Sequence, residues 1–169
     1  IDWEIKEIKD IAKVTTGKTP STSENKYWGG NIPFITPGDM DNKFVNKTER
    51  TVTSLGAEKS GQVLDKGNVL VVCIGSTVGK VAIASKKSVT NQQINSLSCK
   101  KNICVSDYVY YAILFRSKQL NAISGIAAVP IVKKSLLEIF KIPLPPSKEQ
   151  YKIAAILSTV DKALRKSDE

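Results

Sequence analysis

Lys141-Ile142-Pro143-Leu144-Pro145-Pro146-Ser147-Lys148-Glu149-Gln150 runs directly into Tyr151-Lys152-Ile153-Ala154-Ala155-Ile156-Leu157. Proline fixes its own φ and biases the residue before it toward extended backbone, so residues 142–146 are expected to form a straight, stiff strand. Ser147 stands where an N-cap belongs, and Gln150 completes a capping-box pattern with it. A helix is therefore predicted from Ser147 onward, its direction preset by the rigid lead-in. Along it Ile153, Leu157, Val160 and Leu164 recur at spacings of 4, 3 and 4, a heptad-like apolar seam. Drawn from Lys148 to Glu169, such a helix would extend about 33 Å at 1.5 Å per residue. One helix cannot bury that seam alone, so it asks for a partner helix; the competing expectation is that it folds back onto its own domain.

Upstream, the chain alternates short apolar runs with turn signals. Trp3 to Ile8 and Ile11 to Thr15 read as strands, and Gly17 to Gly30 as a polar loop. Asn31 to Thr36 reads as a short strand halted by Pro37-Gly38-Asp39. Asn42 to Thr53 is loop or edge strand, and Thr53 or Ser54 is placed to cap a short helix through Lys59. Asp65-Lys66-Gly67-Asn68 is a turn opening the strand Val69 to Ile74, with Val81 to Ala84 and Ile94 to Cys99 as further strands. Ser106-Asp107 is a plausible cap for a helix over Tyr108 to Arg116, followed by helical pieces over 118–124 and 135–139. The class expected is α+β: a curved, mostly antiparallel sheet, a helical cluster and a projecting C-terminal helix.

The 169 residues suffice for one domain plus an appended element, with a core that needs no covalent staples. Residue 1 is Ile, so the chain is expected to have been cut from something longer or processed. The longest apolar run, Val69 to Ile74, is far too short to span a membrane. Cys73, Cys99 and Cys104 show no zinc-type spacing, and there is no histidine anywhere. They read as reduced thiols in a cytoplasmic protein. The net charge of +9 points toward polyanionic partners, nucleic acid above all. That charge is nearly all lysine, with arginine only at positions 50, 116 and 165.

Several chemistries are excluded by spacing. Gly75-Ser76-Thr77-Val78-Gly79-Lys80 looks like a phosphate loop, but only three residues separate the glycines and Val81 follows the lysine. Val81 to Ala84 reads as a strand, not a helix whose N-terminus would hold phosphate, so a hairpin turn fits better than a nucleotide enzyme. Without histidine there is no imidazole base and no histidine-based triad. No carboxylate pair sits among apolar residues that would separate the two pKa values. Pro145-Pro146 lacks the Asn/Asp before it and the aromatic after it that a methyltransferase motif requires. The residues argue for a binding module with no catalytic residues, metal or cofactor.

Sequence-specific contact with duplex DNA needs base-edge donors and acceptors beside phosphate-binding cations. Three loops offer both: Lys18 and Thr19; Thr36, Asp39, Lys43, Lys47 and Arg50; and Ser76, Thr77 and Lys80 with Asn91, Gln92 and Gln93. Carboxamides match adenine in a bidentate manner.

Four motifs in order, together with the proline junction, carry a family resemblance over essentially the whole chain. Trp3-x-x-x-x-Ile8-x-Asp10-Ile11-Ala12 precedes Gly17-Lys18-Thr19-Pro20. Tyr27-Trp28-Gly29-Gly30-Asn31-Ile32-Pro33-Phe34-Ile35 follows, then Gly75-Ser76-Thr77-Val78-Gly79-Lys80, then Thr90-Asn91-Gln92. With Pro145-Pro146-x-x-Glu149-Gln150 and Ile153-Ala154-Ala155-Ile156-Leu157, this resembles the specificity subunits of type I restriction-modification systems. The resemblance implies a target recognition domain over residues 1–146 and the start of a conserved coiled-coil spacer helix over 147–169. It implies that the chain reads one half-site of double-stranded DNA and holds no cofactor. The methyltransferase subunits, which use S-adenosylmethionine, and indirectly the restriction subunit, would be its partners. A second recognition half, or self-association, would come through Ile153, Leu157, Val160 and Leu164. A specificity domain serving a single-chain restriction-methylation enzyme is the alternative, separable by what lies beyond Glu169.

Overall fold

The computed structural model describes residues 3–125 and 128–167. In chain order the elements are β1 (Glu4–Glu7), α1 (Ile8–Ile11), β2 (Ala12–Thr16), a 3-10 turn (Asn25–Tyr27) and β3 (Trp28–Ile35). A second 3-10 turn (Pro37–Asp39), β4 (Phe44–Val45), β5 (Arg50–Val52), α2 (Ser54–Lys59), β6 (Val69–Val72) and β7 (Val81–Ala84) follow. The chain closes with β8 (Val89–Thr90), β9 (Ile94–Cys99), α3 (Ser106–Phe115), α4 (Ser117–Ile123), α5 (Lys134–Glu138), β10 (Lys141–Leu144) and α6 (Ser147–Ser167). The α+β class is as expected, but the one anticipated sheet resolves into three. A five-stranded sheet has the order β2-β9-β6-β7-β4, antiparallel except for the edge pair β4–β7. A three-stranded sheet has the order β5-β3-β8, and β1 pairs with β10 in a ribbon.

β6 explains why Val69 to Ile74 is uninterruptedly apolar. Its side chains alternate between two cores. Val69 and Val71 pack with Ile8, Val14, Leu97, Val109 and Ile113, while Leu70 and Val72 pack with Ile35, Met40, Ala82 and Ile94. A strand covered on both faces needs no polar alternation. Each fully buried Val or Leu on it contributes about 1.5–3 kcal/mol. The antiparallel β6–β7 pair confirms the hairpin reading of residues 75–80. Gly79 has a φ of 89°, and a Cβ there would lie 2.9 Å from the Ser117 carbonyl, so the turn requires glycine for conformation and for space.

Short strands and single turns are where the reading of local pattern failed. The structure adds α1 and β8, each too short to show a period in the sequence, and β3 reaches back through Trp28-Gly29-Gly30, which reads as loop in the sequence. Ser106 is the first residue of α3, not its cap; the capping residue is Val105, whose N–H is satisfied from elsewhere.

That partner is Gln150. Its expected role in a capping box is corrected by the structure. The Pro146 carbonyl, not the Ser147 hydroxyl, stands at the start of α6 and accepts from the N–H groups of Glu149 and Gln150 at 2.8 and 3.1 Å. The Gln150 side chain is buried and turned inward. Its Oε1 accepts from Val105 N at 2.8 Å, while Nε2 donates to the carbonyls of Ile103 and Pro145 at 3.1 and 2.8 Å. One amide thus joins the start of α6 to the loop before α3 and to the proline lead-in. The first turns of α6 are docked by Gln150, Ala154 and Ile153. Farther along, Val160 and Leu164 are 47% and 60% exposed. Residues 168 and 169, included in the expected helix length, lie outside the described residues.

Candidate nucleic-acid interface

Strand register gathers the candidate loops at one end of the molecule. The last residues of β3 and β8 lie side by side, Ile35 opposite Thr90. The last residue of β2, Thr16, faces Asn95 near the start of β9, and the last of β6, Val72, faces Ile94. Loops 17–24, 36–43, 73–80 and 91–93 therefore emerge together. Backbone hydrogen bonds bind them into one surface: Gly17 N to the Ile94 carbonyl at 3.1 Å, Lys18 N to Thr90 at 3.0 Å and Asn91 N to Ile35 at 3.1 Å.

Within this surface the predicted residues divide by what their side chains touch. Thr36, Asp39, Lys80, Asn91 and Gln93 are turned inward as struts. Asp39 accepts from Thr36 N and Oγ1 at 2.7 and 2.8 Å and from Glu49 N at 2.8 Å, fixing the 3-10 turn and the loop behind it. Lys80 donates to the Pro37 carbonyl at 3.0 Å and to Asp41 Oδ1 at 2.8 Å, so its charge is offset. Asn91, expected to present its amide, is buried. It donates to Gln93 Oε1 at 2.8 Å and accepts from Gln93 N, while Gln93 Nε2 donates to the Ile74 carbonyl at 3.3 Å. Such local side chain to backbone bonds are what hold Asn- and Asp-rich turns.

Lys18, Thr19, Lys47, Arg50, Ser76, Thr77 and Gln92 remain toward solvent, Thr19 in part. Thr19 Oγ1 donates to Gln92 Oε1 at 2.7 Å, joining the first loop to the last. Among the described residues, Lys18, Lys47 and Arg50 make no ion pair, unlike Lys26, which pairs with Glu24 at 3.0 Å. Arg50 is preordered: its guanidinium carbon sits 3.5 Å from the centroid of the Trp28 ring. Trp28 is itself fixed edge-on to Phe34, 5.1 Å between centroids, and donates from Nε1 to the Ser21 carbonyl at 3.0 Å. A planar guanidinium stacked in this way loses little freedom when its outer donors meet an anion or a base edge.

Two features escaped sequence reading. Lys43, grouped with the loop cations by its charge, is buried against α3 and α6. Residues 128–133 reach the same end as the loops through the Val132 N to Cys73 carbonyl bond at 2.8 Å and the bridge of Ile74 with Ile131, leaving Val129 and Ile131 exposed there. The β-branched run Val129-Pro130-Ile131-Val132 was the available signal for that second feature. No group of acidic, cysteine or histidine side chains that could hold a metal occurs among the described residues, and no helix is long and apolar enough to cross a membrane.

Residues 1–169 match the type I restriction modification DNA specificity domain. The chain is 39% identical to the type I restriction enzyme MjaIX specificity subunit of Methanocaldococcus jannaschii, over 95% of this chain and 38% of that protein. It is 30% identical to the EcoR124I/EcoR124II specificity subunit of Escherichia coli, over 95% of this chain and 41% of that protein. The chain thus spans about two fifths of the length of these relatives. The crystal structure of the HsdS subunit from Thermoanaerobacter tengcongensis shares the fold, with a TM-score of 0.77 at 20% identity over 99% of this chain and 40% of that one. The type I restriction-modification S subunit from M. genitalium does likewise, with a TM-score of 0.71 at 19% identity over 98% of this chain and 41% of that one.

Proposed function

The chain belongs to the type I restriction-modification DNA specificity family, and on that premise we propose that it reads one half-site of duplex DNA for a cytoplasmic restriction-modification complex. Residues 1–146 form the reading unit, and residues 147–169 begin the spacer helix. The observation that carries the reading is the loop-bearing end, where Lys18 and exposed Gln92 are brought together through Thr19, with exposed Lys47 and stacked Arg50 on the 44–50 segment that follows the 36–43 loop and in no ion pair among the described residues. Cations of this kind neutralise phosphates and set register, and an exposed carboxamide held by Thr19 is placed to discriminate at a base edge. Thr36, Asp39, Lys80, Asn91 and Gln93 hold the loops in shape. The chemistry of methylation and cleavage belongs to partner subunits, the modification subunits directly and the restriction subunit through them.

Binding of the full chain to labelled duplexes, measured against salt, tests this reading. Affinity is expected to fall with a log–log slope of about 0.9 per phosphate neutralised. Lys18→Ala removes roughly one unit of that slope on every sequence alike. Gln92→Ala instead leaves the slope and costs about 1–3 kcal/mol of discrimination between the preferred half-site and others. Affinity that ignores salt, or a preference for single strands, would sink the proposal.

The exposed part of the helical stripe supplies the partner surface. Ile153 packs against the domain's own core, so Leu157, Val160 and Leu164 are the members left for another helix. Val160→Glu with Leu164→Glu is expected to abolish self-association in sedimentation while leaving the circular dichroism spectrum unchanged. A wild-type chain that stays monomeric at high concentration would show that the stripe has no self-partner.

A further inference from the structure

Lys43 is a cation that the loop-bearing surface does not use. It is 5% exposed, and its carbonyl accepts from Ile83 N at 2.7 Å where β4 begins. The ammonium has three donor positions and three receivers: Asp107 Oδ1 on α3 at 2.5 Å, Ser158 Oγ on α6 at 2.8 Å and the Tyr111 hydroxyl at 3.4 Å. It lies 4.5 Å from the Tyr111 ring centroid, 5.2 Å from Phe44 and 5.4 Å from Tyr110. Tyr111 extends the chain of bonds, donating to Asp161 Oδ2 at 2.6 Å. Burial, together with the bond to Asp161, pushes the Tyr111 pKa up to about 12, so the hydroxyl keeps its proton at neutral pH.

Holding α6 against α3 does not require this much polarity. Burying the Lys43 ammonium costs desolvation that its bonds to half-exposed Asp107, to Ser158 and to Tyr111 offset, so the cluster adds little stability over apolar side chains of equal volume. Its contribution is direction. Ile153 and Ala154 provide contact that tolerates rotation and sliding, whereas the ammonium and the tyrosine hydroxyl accept only a narrow angular setting of Ser158 and Asp161. These two residues stand just before the exposed end of the helix. On the other side, Lys43 lies in the segment that also carries Asp39, Asp41, Lys47 and Arg50. One side chain therefore ties the loop to the outgoing helix.

We propose that Lys43 is a positioning residue that fixes the direction of α6 relative to the 36–50 loop, and thereby the half-site spacing that the assembled protein accepts. The second part rests on the half-site reading above; the first does not. Ketone-bearing residues at exposed Lys47 and Lys162 in the full chain, coupled to nitroxides, report the loop-to-helix distance by pulsed electron resonance. The unaltered Lys43 background is expected to give one narrow distance population. Lys43→Met broadens it roughly twofold or more, because apolar contact alone leaves the angle free. Should Lys43→Met fail to fold, Ser158→Ala with Asp161→Asn keeps the Lys43–Asp107 pair and carries the same expectation. An unchanged width and mean in the folded variant overturns the proposal.

Methylation by the full chain assembled with its modification subunits then reads spacing. In Lys43→Met, methylation at a spacer altered by a single base pair rises roughly tenfold relative to the preferred one. A general loss of stability would lower all spacers equally, and that result overturns the spacing part. If the wild-type assembly methylates no sequence selectively, the half-site reading has failed, and the nitroxide distances alone decide the role of Lys43.

Discussion

Gln150→Leu is expected to destabilise the protein by about 2–4 kcal/mol, since a buried backbone group left without a partner costs about 1–3 kcal/mol and only the Pro145 bond is fully buried, those to Val105 N and the Ile103 carbonyl being part-buried. Leucine fills the volume but bonds to none of the three groups the amide now satisfies, Val105 N and the carbonyls of Ile103 and Pro145. The loss is concentrated at a junction, because the same side chain joins the start of α6 to the entry of α3. Gln150→Glu keeps the acceptor and loses both donors, and it also buries a charge, so it is no rescue. Ser147→Ala provides the contrast. The carbonyl that opens the helix belongs to Pro146, so this change at a half-buried serine stays within about 0.5 kcal/mol. Urea unfolding midpoints of the three variants check the pattern. Equal effects at Ser147 and Gln150 would restore the capping-box interpretation that the structure replaces.

The Ser147/Gln150 pair shows where sequence reading stops. Proline geometry is local, and so the strand over 141–144 and the helix after it were legible from three prolines, Pro143, Pro145 and Pro146, and their neighbours. Whether a glutamine folds back to its own helix end or reaches inward depends on whether an unsatisfied N–H waits nearby. That N–H belongs to Val105, 45 positions away. Lys43 teaches the same lesson about charge. In the sequence it is one lysine among several in a polar loop, and only the approach of Asp107, Ser158 and Tyr111 makes it interior. Long apolar runs read better: Val69 to Ile74 was legible as a strand because nothing polar interrupts it, and the cover on both of its faces is what the fold adds. β8, two residues long, offered no periodicity to detect. For the candidate surface, the loops were legible from composition. Which amide faces out was not, since Asn91, Gln92 and Gln93 differ only in what the fold brings against each.

Gly17→Ala is expected to separate the first loop from the rest of the surface. The φ of Gly17 is not in the left-handed region, so backbone conformation is no obstacle; space is. A Cβ would stand 2.2 Å from the Asn91 carbonyl oxygen, 2.2 Å from Thr90 Oγ1 and 2.4 Å from the Thr90 carbonyl oxygen. Two of these atoms are backbone, held by the β3–β8 pairing, and cannot rotate aside. The loop must therefore lift, which breaks Gly17 N to Ile94 and Lys18 N to Thr90 and carries Thr19 away from Gln92. Overpacking and the lost bonds together cost about 3–5 kcal/mol. The β2–β9 register up to Thr16 lies behind the break, so the remaining chain is expected to stay folded at low temperature. Discrimination between half-sites then falls at least as far as in Gln92→Ala, while the salt slope keeps the share due to Lys47 and Arg50. Gly38→Ala is the control, because its Cβ would meet nothing closer than Thr36 Oγ1 at 3.7 Å. Were Gly17→Ala to keep both its urea midpoint and its half-site preference, the loops would have to act independently. The joined surface that supports the half-site reading would then be the wrong picture of how this chain meets DNA.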